Sequence, residues 1–223
     1  DLFWFSNLSF TGAAIGLNSV VFTPGYFKNY PLEVEKNDIP AVYAITKDKD
    51  NNLYVGLRGG TPVLQITPAM RINKLKIPDY FLSIDPGTVR SLTPDGNGVW
   101  IGFFRELLLF YNVTTREITR YTPESEFFRP VAIDKEGELY LVSGNNKIIR
   151  FSPELQKTVM KTAYSHISPV YKIVVDEGGI VWACMNQSTF LRLDPRKDKL
   201  DIFTILPDNY NVEDLCQCDN GDI

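Results

Sequence analysis

Histidine is nearly missing from this chain of 223 residues; there is one, His166. That excludes a multi-histidine zinc or iron centre and leaves triad chemistry a single candidate base, with no Gly-x-Ser-x-Gly motif to accompany it. His166 reads as a loop residue without a catalytic role. Cysteine is almost as scarce. Cys184, Cys216 and Cys218 cannot all pair within one chain, and Cys216-x-Cys218 lacks the second pair a metal site requires. Most of them read as buried small apolar residues. An excess of basic residues is also absent: Lys and Arg number 23 against 27 Asp and Glu, the net charge is -4 and the pI about 5.1. With those cations scattered, no electrostatic footprint for nucleic acid exists. No apolar run approaches the roughly 18 residues of a membrane span, and Asp1 opens no charged-then-apolar leader. Contact with a membrane is therefore expected only through segments outside this chain.

What is present is β-forming. Hydrophobic residues make up 44% of the chain and charged residues 22%, enough apolar surface for a sizeable core. Periodicity near 3.6 is absent over any long window, no helix is expected, and 14 Pro and 15 Gly punctuate the chain. An aromatic recurs in one context: Trp4 in "DLFWFSN", Tyr54 in "DNNLYVGL", Trp100 in "GNGVWIGF", Tyr140 in "EGELYLVS" and Trp182 in "GGIVWACM", spaced by 50, 46, 40 and 42 residues. Ahead of the last four lie β-rich runs, "AVYAI", "TVRSL", "PVAI" and "VYKIVV", each followed by a polar turn of Asp, Asn, Gly or Glu. After each comes a second apolar run such as "ELLLFYN" or "TFLRLDP", then a third such as "REITRYT" or "KLDIFT". The unit reads as four short strands joined by tight turns.

A four-stranded antiparallel unit repeating near forty residues is the signature of a β-propeller blade, because one small sheet cannot bury both faces alone. The fold expected is all-β, a propeller with about five blades or blade parts in this chain. The repeated Trp or Tyr should fill the wedge between adjacent sheets, its polar edge finding a backbone partner. A two-sheet sandwich would not require the same aromatic in the same context five times. In the recurrent turns at Asp48, Asp95, Asp134 and Asp176, the Asp should accept backbone N–H bonds while Gly or Asn takes φ > 0. These carboxylates are thus read as turn residues rather than as a metal or phosphate site.

Strand, Asp-rich turn, Gly or Asn, aliphatic, Trp, Ile-Gly and a "LFYNVTTREITRYT" tail together resemble the two-component regulator propeller repeat. The nearest copies are Val89 to Thr122 and Val170 to Thr204. "AITKDKDNNLYVGL" agrees well, Val131 to Lys161 is recognisable, and the first copy is degenerate. Cys218 stands where other copies carry Asp48, Asp134 and Asp176, and the Asp95 turn is one residue shorter. In that family such repeats form the periplasmic sensor region of bacterial hybrid two-component systems, common in gut Bacteroides-like bacteria. The resemblance implies a ligand-sensing module, often for oligosaccharides, that relays occupancy across the inner membrane to a histidine kinase elsewhere in the parent protein. It also implies a propeller usually of seven blades.

The whole chain, 1–223, is read as propeller: a partial blade at 1–38, blades at 39–87, 88–127, 128–169 and 170–210, and the inner strand of a next blade at 211–223. It opens in mid-blade and closes on an inner strand without its aromatic. Either it is a piece of a larger propeller, the reading preferred here, or 211–223 pairs with "DLFWFSN" to close a five-bladed ring.

Propellers bind ligands at the channel mouth formed by the loop entering each inner strand and the loop after the second strand. In register, the second residue of each inner strand is Tyr43, Arg90, Arg129, Tyr171 and Glu213. Loops after the second strand add Arg58, Arg105, Glu106, Asn145, Asn146, Asn186 and Gln187. The ligand set expected is Tyr43, Arg90, Arg129, Tyr171, Glu213, Arg58, Arg105 and Asn186. Aromatic faces with Arg, Asn and Gln donors suit a small carbohydrate, and the arginines suit a uronate or sulfate. Taken singly, each is equally a solvated loop residue. The sequons at Asn7, Asn112 and Asn186 are chance matches in a bacterial host. No metal, cofactor or catalytic residue is expected, and this chain is not expected to be an enzyme. Two alternatives stand beside the sensor: a protein-interaction or dimerisation platform, with a second copy of the chain as one partner, and a propeller lyase or hydrolase built around His166.

Overall fold

The computed structural model describes 2–8, 14–21 and 27–30 as backbone strands, then 41–58, 62–82, 88–103, 107–123, 129–143, 147–163, 170–185, 189–204 and Leu215. At 129, 130 and 163 the backbone alone is described. The chain divides into two compact units, Asp1–Leu92 and Thr93–Ile223. β1 (Leu2–Leu8), β2 (Ala14–Val21) and β3 (Phe27–Tyr30) form a three-stranded antiparallel sheet in that order, with Trp4 opposite Ser19. A four-stranded blade follows: β4 (Val42–Lys47), β5 (Leu53–Leu57), β6 (Val63–Ile66) and β7 (Ile72–Lys74). The next is β8 (Val89–Asp95), β9 (Gly98–Phe103), β10 (Leu108–Asn112) and β11 (Ile118–Tyr121). β12 (Arg129–Ile133), β13 (Leu139–Ser143), β14 (Lys147–Ser152) and β15 (Lys157–Ala163) make a further blade, and β16 (Val170–Val175), β17 (Val181–Met185), β18 (Thr189–Asp194) and β19 (Lys199–Thr204) the last. In every sheet the strands neighbour in sequence order, and the fold is a β-propeller of four-stranded antiparallel blades. One departure from the all-strand expectation is α1 (Asp79–Leu82), a single turn opened by Pro78, whose carbonyl accepts the Phe81 N–H at 2.9 Å. Four residues are too few to leave a 3.6-residue period in the sequence.

The second strands show why the blades need each other. β5, β9 and β13 are buried at every residue, so their sequences run apolar instead of alternating, as a strand covered on both faces must. In the second unit, Trp100 and Leu108 share a cluster with Val131, Leu139, Leu141, Ile149 and Phe151 of the following blade. Tyr140 and Val142 likewise share one with Val170, Ile173, Val181 and Leu191. Trp100 and Tyr140 therefore lie in the wedge between blades. β12 lies against β16, and β8 is tied to β12 where the Thr93 hydroxyl donates to the Val131 carbonyl at 2.6 Å. In the first unit, Leu53, Val55, Leu57, Leu64 and Ile66 form the core, and β5 meets β8 so closely that a Cβ on Gly56 would stand 2.6 Å from Val89 Cγ1. Cys184, at the position equivalent to Gly56, is a buried thiol in agreement with its reading as a small apolar residue.

The polar edge of each of the four anchors whose side chains are described finds a carboxylate, not the backbone partner expected. Tyr54 Oη donates to Asp48 Oδ2 at 3.1 Å, Trp100 Nε1 to Asp95 Oδ2 at 3.1 Å and Trp182 Nε1 to Asp176 Oδ2 at 2.9 Å. Tyr140 makes the same bond to Asp134, and its phenol is pushed up to about 12, by burial first, with Asp134 and Glu138 adding to the rise and Arg150 opposing it. A hydroxyl and an indole N–H reach one acceptor, which is why Tyr and Trp exchange at this position. The other carboxylate oxygen holds the turn. Asp48 Oδ1 accepts the amides of Asp50 and Asn52, both at 2.9 Å, and Asp134 Oδ1 those of Glu136 and Glu138 at 3.0 and 2.9 Å. Positive φ falls at Asn51, Gly137 and Gly179, as the turn chemistry requires. The shorter Asp95 turn uses none, and Gly98 is needed there because a Cβ would run into the Tyr111 carbonyl.

Candidate functional site at the start of the first strands

The first strands carry a repeated irregularity. In β4 the pairing passes from Val42↔Leu57 to Ala44↔Gly56, leaving Tyr43 as the extra residue. In β16 it passes from Val170↔Met185 to Lys172↔Cys184, leaving Tyr171. In β12 it passes from Arg129↔Val142 to Val131↔Leu141, so the unpaired residue is Pro130, which has no N–H to lose from the ladder. A bulge of this kind turns a side chain away from the ladder plane. Both bulged tyrosines are solvent-exposed, at 39% for Tyr43 and 41% for Tyr171, although each follows a valine that pairs in the sheet.

Within the first unit three of the expected residues come together. The Arg90 guanidinium carbon stands 4.3 Å from the centroid of the Tyr43 ring. Arg58, at the end of β5, donates its amide to the Ala41 carbonyl at 3.1 Å and forms an isolated antiparallel bridge with Thr88. The backbone of Arg58 is thereby fixed between the residues entering β4 and β8, and its side chain is exposed. In the second unit Tyr171 stands at the start of β16, and Arg129 is placed at the start of β12 by its backbone. Arg105, Glu106, Asn145, Asn146, Asn186, Gln187, Glu213, His166, Cys216 and Cys218 lie outside the described residues.

At the opposite end of the blades the recurrent carboxylates are committed to turn amides and anchor rings. Among the described residues no three His, Cys, Asp or Glu side chains are grouped to hold a metal ion. An open groove of about 430 Å³ lies beyond β7, between Pro62 and the segment Lys74, Leu75, Lys76 and Ile77, on the opposite side of that blade from β4. The sequence reading missed a second recurrent turn, between third and fourth strands. Thr67, Asn112 and Asp194 each accept a following backbone N–H on the side chain, and Met70, Arg116, Gln156 and Asp198 take φ of 47° to 62°. Its signal was the series Thr, Asn, Ser, Asp placed 12 or 13 residues after each of the last four anchors. Asn112, the middle sequon, is such a turn residue, its Oδ1 accepting the Thr114 and Thr115 amides at 2.9 and 3.0 Å. Among the described residues no helix is long and apolar enough to cross a membrane.

No family model and no curated protein matches the sequence. Solved structures do share the fold. Virginiamycin B lyase from Staphylococcus aureus, a catalytically inactive form with quinupristin, is similar with a TM-score of 0.71 at 13% identity, over 92% of this chain and 75% of that one. The extracellular domain of BT4673 from B. thetaiotaomicron, described as a one component system, is similar with a TM-score of 0.69 at 17% identity over 97% of this chain. A second structure of that domain, described as a hybrid two component system, gives 0.62 at 13% identity. This chain spans 29% and 39% of those two.

Proposed function

We propose that the chain is a ligand-sensing, extracytoplasmic region of a bacterial hybrid two-component signalling protein, that it belongs to a larger propeller, and that its ligand is an oligosaccharide bound at the start of the first strands. The observation carrying this reading is the pair of bulges that expose Tyr43 and Tyr171 while every neighbouring strand residue serves the core or the ladder. Exposed rings, that of Tyr43 beside Arg90, suit a ligand of apolar C–H faces and many hydroxyls. The likeness to the BT4673 extracellular domain supports the same reading at the level of fold. Titration calorimetry against a broad oligosaccharide panel tests it: saturable binding is expected, weakened in Tyr171→Ala without loss of folding. Binding to nothing in the panel would favour the interaction platform.

The fold shared with the lyase favours a second reading, in which the chain cleaves a streptogramin-like compound. Incubation with quinupristin decides it. Turnover abolished by His166→Ala would establish the enzyme, and no turnover would leave the sensor.

A further inference from the structure

We propose that the open edge of β7 and the groove beside it form a docking surface for an extended acidic peptide segment of a partner protein, added to the blade as a further outer strand. β7 ends its sheet, and among the described residues no strand pairs with its outer edge. The Thr67 amide donates to the Arg71 carbonyl and the Leu75 amide to the Val63 carbonyl, both at 3.0 Å. Antiparallel pairs alternate between bonded and unbonded, so between these two the backbone N–H and C=O of Ile72 and Lys74 point outward. Such an edge supplies main-chain bonds to an added strand, and a pocket beside it selects among side chains. Here that pocket is the groove of about 430 Å³, where Pro62, Leu75 and Ile77 offer an apolar lining. All three residues of β7 are exposed.

Charge names the occupant. Lys74 and Lys76 line the groove, both exposed, against one carboxylate, Asp79. Among the described residues neither lysine has an ion-pair partner, whereas Lys199 on β19, the outer strand of the last blade, is matched by Asp201 at 3.2 Å. Side chains on a strand repeat every two residues, so carboxylates two apart with an apolar residue between them match Lys74, Leu75 and Lys76. A second copy of this chain fits less well. β7 paired with itself would set Arg71, Lys74 and Lys76 of both copies along one seam, and like charges at a sheet edge oppose pairing.

Panning a display library of random heptapeptides against the chain tests this. Peptides alternating carboxylate and apolar residues should be enriched, and the double variant Lys74→Glu, Lys76→Glu should lose that enrichment with its melting temperature unchanged. By fluorescence anisotropy, an enriched peptide should bind about threefold or more tighter than its counterpart with Gln for Glu and Asn for Asp, the size of one or two exposed ion pairs. The difference should shrink with added salt. Hydrogen exchange at the Ile72 and Lys74 amides should slow in the complex, and Ile72→Pro, which removes an outward N–H and leaves both lysines, should weaken binding. Enrichment of neutral or basic sequences, no enrichment over the charge-reversed variant, self-association through β7, or unchanged exchange at Ile72 and Lys74 would overturn the proposal. Each of those outcomes would leave the saccharide reading standing, since the groove lies on the opposite side of the blade from β4 and Tyr43.

Discussion

At the end of the blades where the first strand turns into the second, Asp48, Asp95, Asp134 and Asp176 make one and the same bond to an anchor ring; at the other end Tyr43, Arg90, Arg129 and Tyr171 share a register and no common chemistry. The difference separates what a blade needs from what a site needs. The hairpin between first and second strands imposes the same demand each time, so the carboxylate and the ring return. Nothing in the blade fixes the bulged position, and its side chain is released to solvent in β4 and β16.

Substitutions at the two ends should therefore separate stability from binding. The largest effect is expected for Trp100→Ala, a ring 2% exposed in the core cluster. It should lower unfolding stability in urea by about 3–5 kcal/mol. Gly98→Ala, forcing a Cβ against the Tyr111 carbonyl, should cost about 1–3 kcal/mol in the same assay. Asp176→Ala orphans the Ile180 amide and the Trp182 indole, and a loss of about 1–3 kcal/mol is expected, read by thermal unfolding. A smaller, pH-dependent effect belongs to Asp194. Burial pushes its carboxyl up, but Lys197 at 3.2 Å and Arg196 at 3.4 Å outweigh that and hold it below the ordinary carboxylate range. A lowered folded value stabilises the fold above the unfolded pKa of about 4 and is lost as pH falls below it through the folded value. Acid unfolding of Asp194→Asn should accordingly be less steep below that range. At the bottom of the scale, Tyr171→Ala should leave stability within about 0.5 kcal/mol while weakening ligand, an outcome that a core role for the ring would contradict.

Much of the blade was legible because its signals are local. Short apolar runs, an aromatic five or six residues after an Asp, and Gly or Asn between them all act within one hairpin, so reading Asp176-Glu177-Gly178-Gly179 as a turn required no partner from elsewhere. The missed detail is of the same length scale: the anchor's polar edge goes to the turn carboxylate, an acceptor one strand end away. The one-turn helix after Pro78 left no trace, being shorter than its own period.

By itself, then, the sequence determined the unit: its strands, its turns, its anchors and the all-β class, each set by interactions between residues at most about a dozen apart. Tertiary structure alone decided which rim residues meet. Arg90 lies 47 positions after Tyr43, and nothing local directs its guanidinium to that ring. That meeting follows from Gly56 letting Val89 approach, which draws β8 against its neighbouring blade and carries the next residue over the bulge. Contacts across blades depend on how two faces close on each other, and that is a property of packing rather than of sequence spacing.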